Sequence, residues 1–331
     1  MDVAKLVIGA SGFLGSHVAR HLTELGERVR VMLRPTSSPR VLRDLDVEYV
    51  FGEITDARAL AAAMDGCDVV YYCVVDARPW LRDPAPLFAT NVTGLRTVLE
   101  VAGEAGLARF VFTSSVATLP IADGVVDEDA GPHNWADLGG GYVRSRVQAE
   151  ELVLRFVHEH GLPAVAMCVA NTYGPGDYLP TPHGGFVAAA ARGKLPFYVR
   201  GAGAEVVDIR DAAEALVLAG TRGRPGERYI ISAGWRRTRD LHDFAASVTG
   251  APPARYGLPP ALLQLAGLVG ELTARLTGKD VRVTRTTMRL MHTMTPLDHS
   301  KAERELGWEP RPIEDTITDA ARFFTRKRTR P

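Results

Sequence analysis

Residues 5–9 form an apolar, β-branched run that passes without a break into Gly9-Ala10-Ser11-Gly12-Phe13-Leu14-Gly15 and then into an amphipathic pattern. A strand that ends in glycines three apart and hands over directly to a helix leaves few folds open. Glycine takes up the dihedrals that such a tight turn needs, and without a Cβ it lets backbone approach a ligand closely. The helix that follows presents free N–H groups and the positive end of its dipole, which suits a pyrophosphate. The spacing is GxxGxxG, a variant of the dinucleotide fingerprint, and the strand before it with the helix after it supplies the context the motif requires. Gly9, Ser11, Gly12, Phe13, Leu14 and Gly15 are candidate cofactor-binding residues.

The rest of the first half repeats the strand–helix unit. Strands are predicted at 28–33, 47–51, 69–75, 109–113 and 163–169, with helices at 13–25, 57–64, 86–105 and 142–160. The strands are continuous apolar runs rather than alternating ones, as parallel strands covered on both faces should be. This points to an α/β fold, a Rossmann-type doubly wound parallel sheet over residues 1–170. After Asn171 glycine and proline become frequent and helices dominate, so residues 171–331 read as a smaller, mainly helical substrate lobe. No repeat or low-complexity linker separates the two, and the lobes are expected to interleave as one unit with a shared cleft.

Composition removes other classes. Lys plus Arg and Asp plus Glu balance at 39 each, so no global field recruits nucleic acid or an anionic membrane. The basic tail with Arg326, Lys327, Arg328 and Arg330 reads as a solvated terminus. The longest apolar helix, around 261–276, carries Gln264, Glu271 and Arg275 and does not read as a membrane span. Cys67, Cys73 and Cys168 show no metal-ligand spacing; Cys73 and Cys168 read as core thiols of a reducing compartment. The first strand starts too early for a signal peptide, and a cytoplasmic location is expected.

The end of the second strand bears on the choice of cofactor. An acidic residue there would accept from a ribose 2′-hydroxyl, but the chain reads Arg34-Pro35-Thr36-Ser37-Ser38. Arg34 brings a guanidinium fork, and Ser37 a further donor, to the place of a 2′-phosphate, which favours NADP(H). Ser114-Ser115 end the fifth strand, and the helix at 142 opens Tyr142-Val143-Arg144-Ser145-Arg146, with Tyr142 and Arg146 on one face. A tyrosine beside a fixed cation gives up its proton more readily, and a serine at a strand end can hold an oxygen next to it.

With these residues the chain resembles the extended short-chain dehydrogenase/reductases, the NAD-dependent epimerase/dehydratase family. The resemblance runs through Gly9–Gly15, Asn91-Val92-Thr93-Gly94, Thr113-Ser114-Ser115, Tyr142 with Ala149-Glu150, Gly174-Pro175-Gly176-Asp177, Val207-Asp208-Ile209-Arg210-Asp211 and Leu306-Gly307-Trp308. Within the family it is most similar to dihydroflavonol-4-reductase-like proteins and hopanoid-associated sugar epimerases. The resemblance implies Ser115, Tyr142 and Arg146 as the catalytic set and Asn91 as a structural or relay residue. It implies a cofactor bed completed by Glu53, Ile54, Cys73, Val74, Val169, Asn171 and Thr172. The chain also departs from the pattern: the family's lysine is Arg146, its acidic residue after the third strand is Glu53, Val74-Val75 replace two small residues, and Val169-Ala170-Asn171-Thr172 replace a segment with proline. Arginine keeps the charge but relays a proton poorly.

Arg78, Trp80, Val116, Tyr178 and His183 fall near the predicted carboxyl edge of the sheet and are candidate substrate residues. Asp127-Glu128-Asp129 reads as a solvated acidic loop, and Met288, Met291 and Met294 as core at helical spacing. No metal is expected. The function that follows is an NADPH-dependent ketoreductase or alcohol dehydrogenase on a fairly apolar small molecule, cyclic or flavonoid- or polyketide-like, with a homodimer as candidate assembly. A nucleotide-sugar epimerase or dehydratase, and a non-catalytic NADP-binding protein, are the alternatives.

Overall fold

The computed structural model describes residues 3–291, 293 and 295–326. Its centre is a seven-stranded sheet. The strands are β1 (Ala4–Ile8), β2 (Val29–Leu33), β3 (Glu48–Phe51), β4 (Cys67–Tyr72), β5 (Arg109–Ser115), β6 (Ala164–Val169) and, from much later in the chain, β10 (Arg228–Ile231). Their order is β3-β2-β1-β4-β5-β6-β10, and every pairing is parallel. The order reverses between β1 and β4, the crevice where ligands of doubly wound folds collect.

Alternation along each strand splits the core in two. Val7, Tyr71, Val111 and Val165 face one layer, which holds α1 (Phe13–Glu24) and α7 (Ile209–Arg222). Leu6, Tyr72, Phe110, Phe112 and Ala164 face the other, which holds α2 (Ala57–Met64), α4 (Leu95–Glu104) and α5 (Ala136–His160). Asp56 caps α2 by accepting from the backbone of Arg58 and Ala59, and Gly161 ends α5 in the left-handed conformation at φ 66°.

The region expected as one helix at 86–105 is divided. A short α3 (Ala85–Phe88) passes into a π-helical turn at Ala89–Gly94 before α4 begins. The turn carries Asn91, whose amide is drawn away to bond Asp76 and Ser145. The strand expected to run to residue 75 stops at Tyr72, because the chain then bends to place Asp76 against Asn91. Helix α5 starts earlier than expected and breaks at Gly140, with φ 68° and ψ −160°, just ahead of Tyr142. A Cβ at Gly140 would lie 3.0 Å from Thr286 Cγ2, so the break also serves a close packing contact.

Beyond residue 170 the chain holds more strand than the sequence indicates. β7 (Asn171–Tyr173), β9 (Gly203–Asp208) and β11 (Trp235–Arg237) form one small sheet, and β8 (Phe197–Val199) with β12 (Tyr256–Leu258) another. Around them pack α6 (Pro182–Ala191), α8 (Thr238–Thr249) and α12 (Ile313–Thr325), sharing an apolar core of Val187, Leu241, Ile317 and Phe324. Helices α9 (Pro260–Thr277) and α10 (Arg285–Leu290) form a hairpin, and α11 (Ser300–Leu306) returns to the central sheet beside β10. Met288 and Met291 pack on Val199, Ala202 and Leu263. Met294 lies outside the described residues, as do Lys327, Arg328 and Arg330. Glu128 corrects the reading of a solvated acidic loop: it is buried, and its Oε1 accepts from the backbone N–H of Ile230 at 2.7 Å. That bond holds the loop on the edge strand β10, which a one-dimensional reading does not show.

Candidate active site

The glycine turn after β1 is built against the end of β4. Gly9 has φ 89°, and a Cβ on it would lie 2.9 Å from Val74 Cγ2. A Cβ on Gly15 would lie 2.4 Å from Gly9 O, so only glycine closes the turn at either position. Gly12 N–H donates to Gly9 O at 3.1 Å, and Gly12 is itself the N-cap of α1. The first turn of α1 has no acidic residue and no side-chain cap, which leaves its N–H groups at Phe13 and Leu14 available to an anion. Ser11 sits partly exposed in the same turn.

The remaining candidate cofactor residues line the same carboxyl edge. Arg34 is exposed just past β2, and its carbonyl accepts from Ser37 N–H in a turn that brings the two together. Glu53 is exposed past β3, while Ile54 packs against Gly94 on the π-helical turn. Cys73 accepts from Thr113 Oγ1 at 3.5 Å, and burial pushes its thiol up to about 12, so it stays protonated. Val169 ends β6, and Asn171 and Thr172 lie in β7 immediately beyond it.

Of the two serines that end β5, the structure separates the roles. Ser114 is buried and donates to the Glu150 carboxylate, which also accepts from Thr118 Oγ1 at 2.9 Å and pairs with Arg228 at 3.0 Å. Ser115 is partly exposed at the strand end, and its Oγ accepts from Ala117 N–H at 3.2 Å. Arg146 is 1% exposed. Its Nη2 donates to Thr113 O at 2.5 Å, which ties α5 to β5 two residues before Ser115, and its guanidinium stands 5.2 Å from the Phe112 ring centre. Among the described residues no carboxylate pairs with it, and its buried Nε has no hydrogen-bond partner. A buried cation with an unsatisfied donor is costly unless a ligand completes it.

Tyr142 lies one turn before Arg146 and packs against a buried cluster of Ala117, Trp135 and Val143, on which Ile121, Val147 and Leu290 also rest. Asn91 accepts from Asp76 N–H at 2.8 Å and donates to Ser145 Oγ at 3.0 Å, holding the loop after β4 against α5. The turn at Gly9–Gly15 follows β1 and Ser115 ends β5, both at the carboxyl edge of the sheet, and Arg146 is tied to Thr113 at that end of β5 with Tyr142 one turn away on α5. Together they fit a dinucleotide: a glycine turn with an uncapped helix N-terminus for phosphates, and an unsatisfied buried guanidinium further in.

The five candidate substrate residues divide. Val116 follows Ser115 and lines a small cleft with Trp135, Ile121 and the Glu205 carboxylate. Trp80 lies under the Arg282 guanidinium at 5.2 Å, and Arg78 forks onto Asp76 at 2.8 and 2.5 Å, so both belong to the loop over this side of the crevice. His183 is held elsewhere: its Nε2 bonds Thr172 O at 2.9 Å and its ring meets Tyr173 edge-on. Burial lowers its pKa to about 4, so it is a neutral tie between α6 and β7. Tyr178 meets Phe323 edge-on in a separate groove of about 1070 Å³ between α1 and the end of α12. Trp135, Ile121 and Leu290 around Tyr142 were not singled out from the sequence. Only Trp135 carries a local signal, as a large aromatic seven residues ahead of the tyrosine.

Comparison with known proteins gives the family and agrees with the fold. Residues 5–232 match the family described as NAD dependent epimerase/dehydratase. A protein of Synechocystis sp. named as a candidate dihydroflavonol 4-reductase is 30% identical over 96% of this chain and 93% of its own length. A Stigmatella aurantiaca protein named 4-hydroxy-2-methyl-3-oxo-4-farnesyl-3,4-dihydroquinoline-1-oxide ketoreductase is 26% identical over 96% of this chain and 95% of its own. The crystal structure of gox2253 superposes with a TM-score of 0.85 at 35% identity, covering 98% of each chain.

Proposed function

Because the chain belongs to the NAD-dependent epimerase/dehydratase family, we propose that it is an NADPH-dependent ketoreductase of the cytoplasm that reduces a fairly apolar, cyclic or flavonoid- or polyketide-like carbonyl compound. The observation that carries this reading is the wall around Tyr142. Ala117, Trp135 and Val143, with Ile121, Val147 and Leu290 packed on the same cluster, give the surroundings of Tyr142 an apolar character suited to an apolar carbonyl compound. The names of the Synechocystis and Stigmatella relatives point the same way.

When bound, NADPH would supply a hydride to the carbonyl carbon. The protein's part is placement and protons. The N-terminus of α1 would take the pyrophosphate, Arg34 with Ser37 the 2′-phosphate, and Arg146 the nicotinamide ribose. Tyr142 would give its proton to the carbonyl oxygen while Ser115 donates a hydrogen bond to that oxygen. The tyrosine proton would return from solvent, because a guanidinium does not pass one on. The test is a panel of cyclic ketones and nucleotide sugars followed by loss of NADPH absorbance and by product analysis. NADPH consumption with an apolar ketone supports the proposal. Interconversion of a nucleotide sugar without net NADPH consumption overturns it in favour of an epimerase, and tight NADPH binding with no turnover of either class in favour of a binding protein.

A further inference from the structure

Helix α9 buries a narrow seam and leaves a broad apolar face uncovered. The buried positions are Leu263, Gly267, Gly270 and Ala274, four residues on one side of the helix. Two glycines let it lie directly on backbone: a Cβ on Gly270 would stand 1.8 Å from Val283 O, and one on Gly267 2.6 Å from Arg285 N. The opposite side carries Leu262, Leu265, Val269, Leu272 and Leu276, at three- and four-residue spacing, with exposures from 47% to 88%. A soluble monomer seldom leaves so long an apolar stripe in water.

The charges bordering this stripe say what covers it. Arg275, Lys279 and Arg282 are exposed at its carboxyl end. The neighbouring acids are engaged: Glu271 bonds the backbone and side chain of Arg285 at 2.9 Å, and Asp280 accepts from Arg82 N–H at 3.0 Å. Tyr256, 65% exposed, stands just ahead of the helix, an amphipathic ring of the kind favoured at a lipid–water boundary. Across a two-fold axis the two helices would run antiparallel, and the cations would meet the partner copy's residues 260–268, which hold no carboxylate to receive them. An anionic bilayer would take the leucines into its interfacial zone and the cations at its headgroups. Among the described residues no helix is long and apolar enough to cross a membrane, and α9 would lie along the surface. Overall charge balance and the lack of a spanning segment, the two grounds on which the sequence sets membranes aside, do not bear on a local patch of this kind.

We infer that α9 docks this protein on the surface of an anionic membrane. The docked hairpin touches the site: Leu290 on α10 rests on the same buried cluster as Tyr142, and Thr286 meets Gly140 at the break in α5. Binding to vesicles is read without turnover, so it stands or falls apart from the proposed reaction. The full chain is floated with vesicles of phosphatidylcholine alone and of phosphatidylcholine with phosphatidylglycerol at about three to one. Partition onto the anionic vesicles is expected to be at least about tenfold stronger, and to fall sharply as salt shortens the reach of the charges. Leu265→Glu with Leu272→Glu should abolish it. Arg275→Glu with Lys279→Glu, which leaves the apolar face intact, should reduce it to the level of neutral vesicles. Melting temperatures of both variants near that of wild type confirm that the fold is kept. Wild type that fails to float at low salt, or a leucine variant that floats as well as wild type, overturns the inference. So does a wild-type dimer that the leucine substitutions dissociate while no vesicle binding is seen, which would make the face a contact between copies.

Discussion

At the scale of single residues the two groups to separate are Tyr142 and Arg146. Tyr142→Phe keeps the ring's packing on the cluster of Ala117, Trp135 and Val143 but removes the hydroxyl. Turnover should fall about a hundredfold or more while NADPH affinity, measured by calorimetry, stays within about twofold of wild type. A near wild-type rate would make the hydroxyl a bystander. Arg146 is bound to Thr113 O and has an unsatisfied Nε, so both β5 and a ligand have a claim on it. Arg146→Ala should weaken NADPH binding by about tenfold or more and lower the single-turnover rate as well. Arg146→Lys keeps the charge and should retain most of the binding. Unchanged NADPH affinity in Arg146→Ala would limit the residue to holding α5 on β5. The placement of Ser114-Ser115 at a strand end, and of Tyr142 and Arg146 on one helix face, was legible from spacing, while the choice of Ser115 and the roles of all three came from the family resemblance. Glu150 with Arg228, which takes Ser114 out of play, was not, since its partners lie 78 residues apart and meet only in the folded sheet.

Among the elements, β1, β2, β4, β5 and β6 were legible because parallel strands buried on both faces need unbroken apolar runs, and β6 is buried at every position, while β3, the exposed edge, showed only by its aromatic and β-branched residues. The start of α5 was hidden by Gly139-Gly140-Gly141, which reads as loop, and the π-helical turn by the non-local bonds of Asn91. Strands of three residues, such as β7, are too short to show a period. The tie of β7 to α6 through His183 makes a prediction of its own. Its imidazole has a pKa lowered to about 4 in the folded chain by burial, against the ordinary value of 6.5. As pH falls from 6.5 toward 4, the unfolded chain takes a proton there that the folded chain refuses. Stability present above the unfolded pKa is therefore lost across that window. His183→Gln can still donate to Thr172 O but cannot titrate. Urea denaturation at pH 7 and pH 4.5 should show wild type losing about 2 kcal/mol more than the variant between the two. Equal losses would place His183 outside the acid response.

For the whole molecule, the central sheet depends on chain that arrives late. β10 completes its edge, and α11 with Trp308 packs behind it in the same core as Val7 and Tyr71. Trp308 is 1% exposed and donates its indole N–H to Asp211 O at 2.9 Å, while Arg311 forks onto the Asp211 carboxylate at 2.7 and 2.6 Å. Trp308→Ala should cost about 3–5 kcal/mol, read from chemical denaturation, and a chain ended before residue 300 should not give a cooperative transition. A loss below about 1 kcal/mol would show that the segment only decorates the sheet. The late arrival of β10 also has a consequence during synthesis. Until residues 228–231 leave the ribosome, β6 stands as a naked edge of six apolar residues with unpaired backbone groups. For the time it takes to translate α6, α7 and the strands between them, the nascent chain is a substrate for holding chaperones and for pairing with neighbours on the same message.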